Sequence, residues 1–376
     1  MGRTMDFEFS EEQNLLREQA QGFLASNCPA SAVRAVLDGG TDYDKELWGK
    51  IAEMGWTATV IPEEYGGLGL SYLELSVIAE ELGRVVAPVP FSSSVYLATE
   101  AILAHGNSDQ KEKWLPKLAA GEAIGTFALS EKSGRPTAAG LTTTVSDKKL
   151  SGTKIPVADG GAADLAIVVA KADSGDGASL YLVELDQASV SAEAVRTLDF
   201  SRGHSRIEFN GADAELLGEE GAGWSGTERL LDRAAVLFAW EQVGGAEAAL
   251  NQAKEYAMGR YAFGRPIASY QAIKHKLAHM YVKNTLARSN CYYGAWALNS
   301  DSSELGLAAA TARVASIQAF LNSAEENVQT HGGMGFTWEF DCQFFYRRAK
   351  LLSVNIGSEA LWQDKLISAY EKNNAA

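Results

Sequence analysis

The chain has 376 residues, a formal net charge of −15 and 46% hydrophobic residues. That length holds two or three structural units with ample core. The acidic balance argues against nucleic acid or an anionic membrane as a main partner, though not against a local basic grip on an anionic ligand.

Three widely spaced cysteines, Cys28, Cys291 and Cys342, give neither a disulfide framework nor a zinc pattern. An intracellular, reducing compartment such as the bacterial cytoplasm fits that usage. No apolar run is long enough to span a bilayer, and no secretory signal is read at the N-terminus. His275 and His279 form an i, i+4 pair, but no nearby carboxylate completes a metal site.

Residues 6 to about 120 predict helices. Phe7 and Phe9 lead into Ser10-Glu-Glu-Gln13, a capping box ahead of Leu15, Leu16 and Phe23. A second helix is expected over Lys45 to Gly55. The glycines between Trp56 and Ser71 mark a loop, and Ser71 is placed to cap a helix over Tyr72 to Arg84. More helix is expected near Val95 to Ala104 and Gln110 to Leu118.

From about Glu122 to Leu217 the period alternates. Candidate strands are Ala123 to Leu129, Leu141 to Val145, Lys149 to Pro156, Leu165 to Ala170, Ser179 to Leu185, Val190 to Ala194 and Ser205 to Phe209. Turns such as Asp173 to Ala178 separate them, a spacing that predicts a small antiparallel barrel or sandwich. From Trp224 the chain predicts about four long helices, joined at Phe263 to Pro266, Asn299 to Ser303 and Thr330 to Phe336. The sum is an α+β fold: a helical domain over 1–121, a β domain over 122–218 and a four-helix bundle over 219–376. No Walker or GxGxxG phosphate loop is present, and the residues from Lys372 onward are expected to fray.

The stretch from Ala234 to Gln271 carries the densest signal. It opens as an Ala-rich apolar helix with one carboxylate, Glu241, inside it. It ends in Phe263-Gly264-Arg265-Pro266, flanked by Arg260 and Gln271, with Pro266 placed to stop the helix. Two guanidinium groups at such a break would grip phosphate. A core helix ending in a basic turn has the same spacing.

Several motifs in this order resemble the acyl-CoA dehydrogenase family over almost the entire chain. They are Ile61-Pro-Glu-Glu-Tyr-Gly-Gly-Leu-Gly69, Asp109 to Leu118 with Gly121-Glu122, Phe127-Ala-Leu-Ser-Glu131, Arg260-Tyr-Ala-Phe-Gly-Arg-Pro-Ile with Gln271, and Gln329-Thr-His-Gly-Gly-Met-Gly-Phe336. The resemblance implies FAD as cofactor, an acyl-CoA substrate, an electron-transfer flavoprotein as redox partner, and a tetramer in which each FAD lies across two subunits. It places flavin contacts at Leu129, Ser130 and Ala158. It places nucleotide contacts at Arg260, Phe263, Gln271, Gln329, Gly332 and Gly333, a further contact at Ser358, and a substrate contact at Asp232. The chemistry of these residues agrees: Arg260 can neutralise pyrophosphate, the paired glycines let a backbone approach a ligand, and the glutamines can bond donors and acceptors alike.

The resemblance weakens at the base. The family's proton-abstracting glutamate, which precedes a glycine, aligns with Ile356 in Ala349 to Ser358. The alternative site used by some members aligns with Ala234, and its neighbouring CoA-binding arginine with Ala235. The family's Trp-x-Thr against the flavin aligns with Pro156-Val-Ala158, and its Gly-Ser-Asp loop with Arg135-Pro-Thr137. Glu241, two turns after Ala234, would face the same side about 10 Å further on. A carboxylate there would be expected to have a raised pKa, as a general base needs. The same residue could instead be a buried partner of a neighbouring helix. Glu359 stands three residues past the usual site. Two functions follow: a homotetrameric dehydrogenase with a displaced base, or a base-lacking partner subunit of an α2β2 dehydrogenase, for example one for steroid side chains.

Overall fold

The structure, a computed structural model, describes residues 9–172 and 177–374. Phe7, the 173–176 part of the expected turn and the last two residues lie outside them. Eleven α-helices and ten strands are described. No described helix is long and apolar enough to cross a membrane.

The capping box forms as expected. Ser10 Oγ accepts the Gln13 N–H at 3.2 Å, and Gln13 Oε1 accepts the Ser10 N–H at 3.0 Å, opening α1 (Glu11–Asn27). α2 (Ala30–Gly39) follows Cys28-Pro29, and Asp44 caps α3 (Lys45–Glu53). α4 (Tyr72–Arg84) begins where Asn299 Oδ1 accepts the Tyr72 N–H at 3.1 Å. A π-helical run, Ser92–Thr99, leads into α5 (Glu100–His105). α6 (Ser108–Ala119) has its own capping box from Asn107 and Gln110.

The eight strands of the main sheet are β1 (Gly125–Ala128), β2 (Thr144–Ser146), β3 (Lys149–Ala158), β4 (Leu165–Ala172), β5 (Ala178–Glu184), β6 (Val190–Ala194), β7 (His204–Asp213) and β8 (Glu215–Leu217). All seven expected strands are among them. Their order is β6-β7-β3-β2-β4-β5-β8, with β1 beside β4. Pairing is antiparallel except that β1 and β2 run parallel to β4. Alternation decides the core: Ala166, Val168, Ala170, Tyr181, Val183, Ile207 and Phe209 share one buried cluster.

The chain then returns to helix in α7 (Gly223–Gly259), α8 (Gln271–Asn299), α9 (Leu305–His331), α10 (Cys342–Leu352) and α11 (Glu359–Asn374). Three of these are long. The last expected long helix is broken between α10 and α11, where Gly357 takes φ 118°. α7 also stops at Gly259, ahead of Pro266. The intervening chain is a hairpin of β9 (Tyr261–Ala262) and β10 (Arg265–Pro266), with Phe263 at φ 52° and Gly264 at φ 80° supplying its two-residue turn.

By internal contacts the described residues divide into two compact units. One draws on Met1–Val33, Tyr72–Ala87 and Ala235–Ala376, the other on Arg34–Ser71 and Pro88–Ala234. In the first unit α4 and α7 cross backbone to backbone. A Cβ on Gly83 would lie 1.9 Å from the Glu241 carbonyl oxygen, and one on Gly244 would lie 1.9 Å from that of Glu80.

Beside this crossing sits a buried charge network. Glu80, fully buried, accepts from Arg84 at 3.0 Å, Arg17 at 3.2 Å and Arg288 at 2.6 Å. Burial opposes the charge on Arg288, but Glu80 and Glu247 outweigh it and hold its pKa above the ordinary value. Replacing Glu80 with Ala removes the buried carboxylate that three guanidinium groups share, leaving Arg84 and Arg288 on Glu247 and Arg17 on Glu81. We expect a loss of about 3–5 kcal/mol of unfolding free energy in urea titration; a loss under about 1 kcal/mol would show that the network contributes little.

Candidate functional site

The sheet-bearing unit places Leu129, Ser130 and Ala158, the residues expected against the flavin, where the chain after β1 runs beside β3. β1 ends at Ala128, and the chain continues along β3. There the Ser130 carbonyl accepts the Ile155 N–H at 2.7 Å. Thr126 Oγ1 donates to the Ala158 carbonyl at 2.6 Å. All three expected contact residues are half-buried along this edge.

Behind the edge lies a pair that motif matching alone did not single out. Lys154 is fully buried, and its Nζ donates to the Leu129 carbonyl at 3.1 Å, the Val169 carbonyl at 2.6 Å and Glu131 Oε1 at 2.7 Å. Glu131 also accepts the Thr142 N–H at 2.6 Å, the Thr142 hydroxyl at 2.7 Å and the Thr143 N–H at 3.0 Å. Burial pushes the Lys154 ammonium down to about 8 against the pull of Glu131. Burial acts to raise Glu131, but its bonds from Lys154, Thr142 and Thr143 hold the carboxyl at about 2. The available signal was a lysine in an inward-facing position of an alternating strand.

The helical unit gathers the residues expected to contact a nucleotide at one end of its bundle. Arg260 leaves α7, its N–H bonded to the Tyr256 carbonyl, and its carbonyl accepts the Ile267 N–H at 2.8 Å. Phe263, at the hairpin tip, is 96% exposed. Arg265, the second expected guanidinium, stacks on Tyr270 at 4.1 Å, while Arg260 is exposed. Gln271 is the exposed first residue of α8. The end of α9 meets this region: Tyr256 stacks on His331 with ring centroids 4.1 Å apart, and Asn327 donates to Gln252 at 2.7 Å. Lys276 on α8 pairs with Glu326 on α9.

Gln329 is exposed on the last turn of α9. Gly332 ends that helix at φ 62° and ψ −139°, a conformation for glycine alone. A Cβ on Gly332 or Gly333 would meet nothing within 4 Å, so a ligand can reach the backbone there. An exposed guanidinium, two exposed amide side chains and an open diglycine turn fit the anionic, hydrogen-bonding body of a flavin dinucleotide.

Ser358 is not with this group. It precedes α11 and accepts the Leu361 N–H at 3.4 Å, and its neighbour Glu359 takes a bond from Gln318 at 2.7 Å. Gln318 lies fourteen residues, roughly 20 Å, before Gly332 along α9.

Ile356 is half-buried in the turn before α11. That turn is fixed by Arg313, fully buried on α9, which donates to Asn355 Oδ1 at 2.7 Å, to Gln242 Oε1 at 2.5 Å and to the Leu352 carbonyl. Burial pushes the Arg313 guanidinium down to about 9. Glu241 is buried on α7 with Oε1 3.4 Å from Arg348 Nη1, the arrangement that the packing alternative describes. Arg348 also donates to the Val86 carbonyl at 3.3 Å and the Ala87 carbonyl at 3.4 Å. Trp240 packs on Phe9 and Tyr292, so its bulk belongs to the core. In the other unit, Asp232 is half-buried on α7, and Ala234 is fully buried and apolar. Arg233 there pairs with Glu100.

The Glu131 carboxyl is held well below its ordinary 4.5, so it stabilises the fold above pH 4.5 and loses that effect as pH falls toward 2. The stability margin of wild type over Glu131→Gln, read by denaturant unfolding, should therefore shrink by about 2 kcal/mol between pH 5 and pH 3. A margin independent of pH would refute the assignment. In the helical unit, Gly333→Ala has open space and an ordinary backbone. We expect unchanged stability of the FAD-free protein but at least about a tenfold loss of FAD affinity by fluorescence titration, since the methyl group would occupy ligand space. Unchanged affinity would remove the diglycine turn from the nucleotide site.

Residues 10–122 match the acyl-CoA dehydrogenase N-terminal domain, and residues 221–368 match the acyl-CoA dehydrogenase C-terminal domain. The chain is 33% identical to acyl-CoA dehydrogenase IpdE2 of Mycobacterium tuberculosis over 341 residues, 90% of this chain and 91% of that protein. Among solved structures it resembles butyryl-CoA dehydrogenase from Megasphaera elsdenii at 27% identity and a TM-score of 0.89, covering 97% of this chain and 100% of that one. It also resembles a chain of the ChsE4-ChsE5 complex from Mycobacterium tuberculosis at 26% identity and a TM-score of 0.88, covering 98% and 99%. The α+β order, the mostly antiparallel middle sheet and the helical C-terminal part agree with these structures. The chain belongs to the acyl-CoA dehydrogenase family of FAD-dependent oxidoreductases.

Proposed function

We propose that this chain is an FAD-binding, base-lacking subunit of an α2β2 acyl-CoA dehydrogenase. In that reading it assembles with a second family member that carries the glutamate. The assembly converts an acyl-CoA thioester to a 2-enoyl-CoA. One observation carries the reading: among the described residues, none of the candidate base positions offers a free carboxylate. Ile356 fills the turn, Ala234 is buried hydrocarbon, and Glu241 is buried against Arg348. Glu359 is bonded to Gln318 and Gln363. An isoleucine side chain cannot accept a proton. The ChsE4-ChsE5 structure names two chains in one complex, which supports a paired assembly here.

When bound, FAD supplies the hydride acceptor, its N5. The residues of this chain bind and orient. Arg260 would neutralise pyrophosphate charge, Gln271 and Gln329 would bond the nucleotide, and Gly332 and Gly333 would admit its backbone-side approach. Leu129, Ser130 and Ala158 would form the wall against the ring, with Ser130 offering a hydroxyl. Asp232 would contact substrate from α7. An electron-transfer flavoprotein would accept the electrons.

A second reading keeps Glu241 as the base of a homotetramer. Its support is a buried carboxylate on the same helix as Asp232.

Anaerobic titration separates the two. The chain is purified alone and with a glutamate-bearing homologue, then exposed to short, long and ring-bearing acyl-CoA thioesters, steroid side-chain thioesters among them. We expect the chain alone to be yellow and unbleached, and the complex to be bleached at a rate that Glu241→Gln changes by less than about twofold (about 0.4 kcal/mol). Bleaching of the chain alone, abolished by Glu241→Gln, would establish the homotetramer instead.

A further inference from the structure

We infer that Lys154 is a positioning residue for the flavin: its buried ammonium locks the Leu129–Ser130 peptide in place against β3. The inference rests on FAD binding and does not depend on which subunit supplies the base.

The ammonium has three protons and three acceptors. They lie on two separate pieces of chain, the Leu129 carbonyl and Glu131 Oε1 just after β1 and the Val169 carbonyl on β4, with Lys154 itself on β3. Glu131 is itself fixed by the Thr142 and Thr143 amides, so Lys154 also ties residue 129 to the segment entering β2. Ser130 is thus held on both sides as well as through its own carbonyl, which accepts from Ile155. Without Lys154, the Ile155 bond and the Glu131 bonds to Thr142 and Thr143 would remain, but the tie from the Leu129 carbonyl to β3 and β4 would be lost.

A charge is a poor way to obtain stability at this place. An ion pair taken fully out of water gives little net gain over apolar side chains of similar volume. What it does give is direction: three short bonds from one atom fix the relative placement of three strands. A ligand wall needs that kind of support, because misplacement by about 0.5 Å in a supporting residue degrades a site.

The test uses full-length variants saturated with FAD and measures FAD affinity, the visible absorption spectrum of the bound flavin and its reduction potential. Lys154→Met alone leaves Glu131 without its cation, which destabilises the fold, so it is combined with Glu131→Gln. In K154M/E131Q no charge is stranded, and the glutamine can still accept from Thr142 and Thr143. We expect cooperative unfolding near that of wild type, an FAD dissociation constant raised at least about tenfold, and a displaced flavin spectrum and potential. E131Q alone, which keeps the Lys154 bonds to Leu129 and Val169, should bind FAD within about threefold of wild type. Should the methionine double variant not fold, K154Q/E131Q keeps a donor at the site and is read in the same way. Wild-type affinity, spectrum and potential in either folded double variant would overturn the inference, because the lysine would then serve packing alone.

Discussion

The crossing of α4 and α7 constrains the helical unit through its backbone. Gly83 faces the carbonyl of Glu241, and Gly244 faces the carbonyl of Glu80. A methyl group at either position would overlap backbone. Two helices this close leave no volume for side chains between them, so polar groups along the seam must turn aside and find partners. Glu80 turns to Arg17, Arg84 and Arg288, and Glu241 turns to Arg348, which is also bonded to the carbonyls at the end of α4. The position of Glu241 is therefore a consequence of helix packing. An isolated buried carboxylate would be costly; this one has a guanidinium beside it and contributes to the junction of α4, α7 and α10.

What was legible in the sequence follows from how local each cause is. The capping box at Ser10 and the strands between Gly125 and Leu217 depend on neighbours in sequence, and both were readable. The diglycine turn and the Arg260 segment were readable as motifs and proved to share one end of the bundle. Features set by distant partners were not readable. Leu15 fits an apolar stripe on α1, yet it is 55% exposed, while Gln13 is buried because its side chain donates to Glu74 on α4 at 2.9 Å. The end of α7 was placed at Pro266 by its missing N–H, but a hairpin intervenes because Phe263 and Gly264 adopt positive φ. The partnership of Lys154 and Glu131 joins residues 23 apart and has no local signature.

Buried charge does two different jobs in this molecule. Around Glu80 it joins four helices, and its value is cohesion. Around Lys154 and Arg313 it fixes short segments of irregular chain: the Leu129–Ser130 edge and the turn bearing Asn355 and Ile356. Irregular backbone cannot satisfy its own carbonyls as a helix does, and a buried cation with several donors is an economical way to meet them.

In the proposed reading, the turn around Ile356 shows how a base can be lost without loss of the site. Arg313 ties Leu352 and Asn355, both just ahead of position 356, to Gln242 on α7. None of those contacts involves the side chain at 356. The side chain at 356 can thus change without disturbing the turn that presents it: in the proposed reading proton abstraction is given up while the shape on which a thioester and a flavin would depend is retained. Binding and chemistry are carried by different atoms of the same turn, and that separation is what makes a subunit that binds without abstracting a proton physically reasonable.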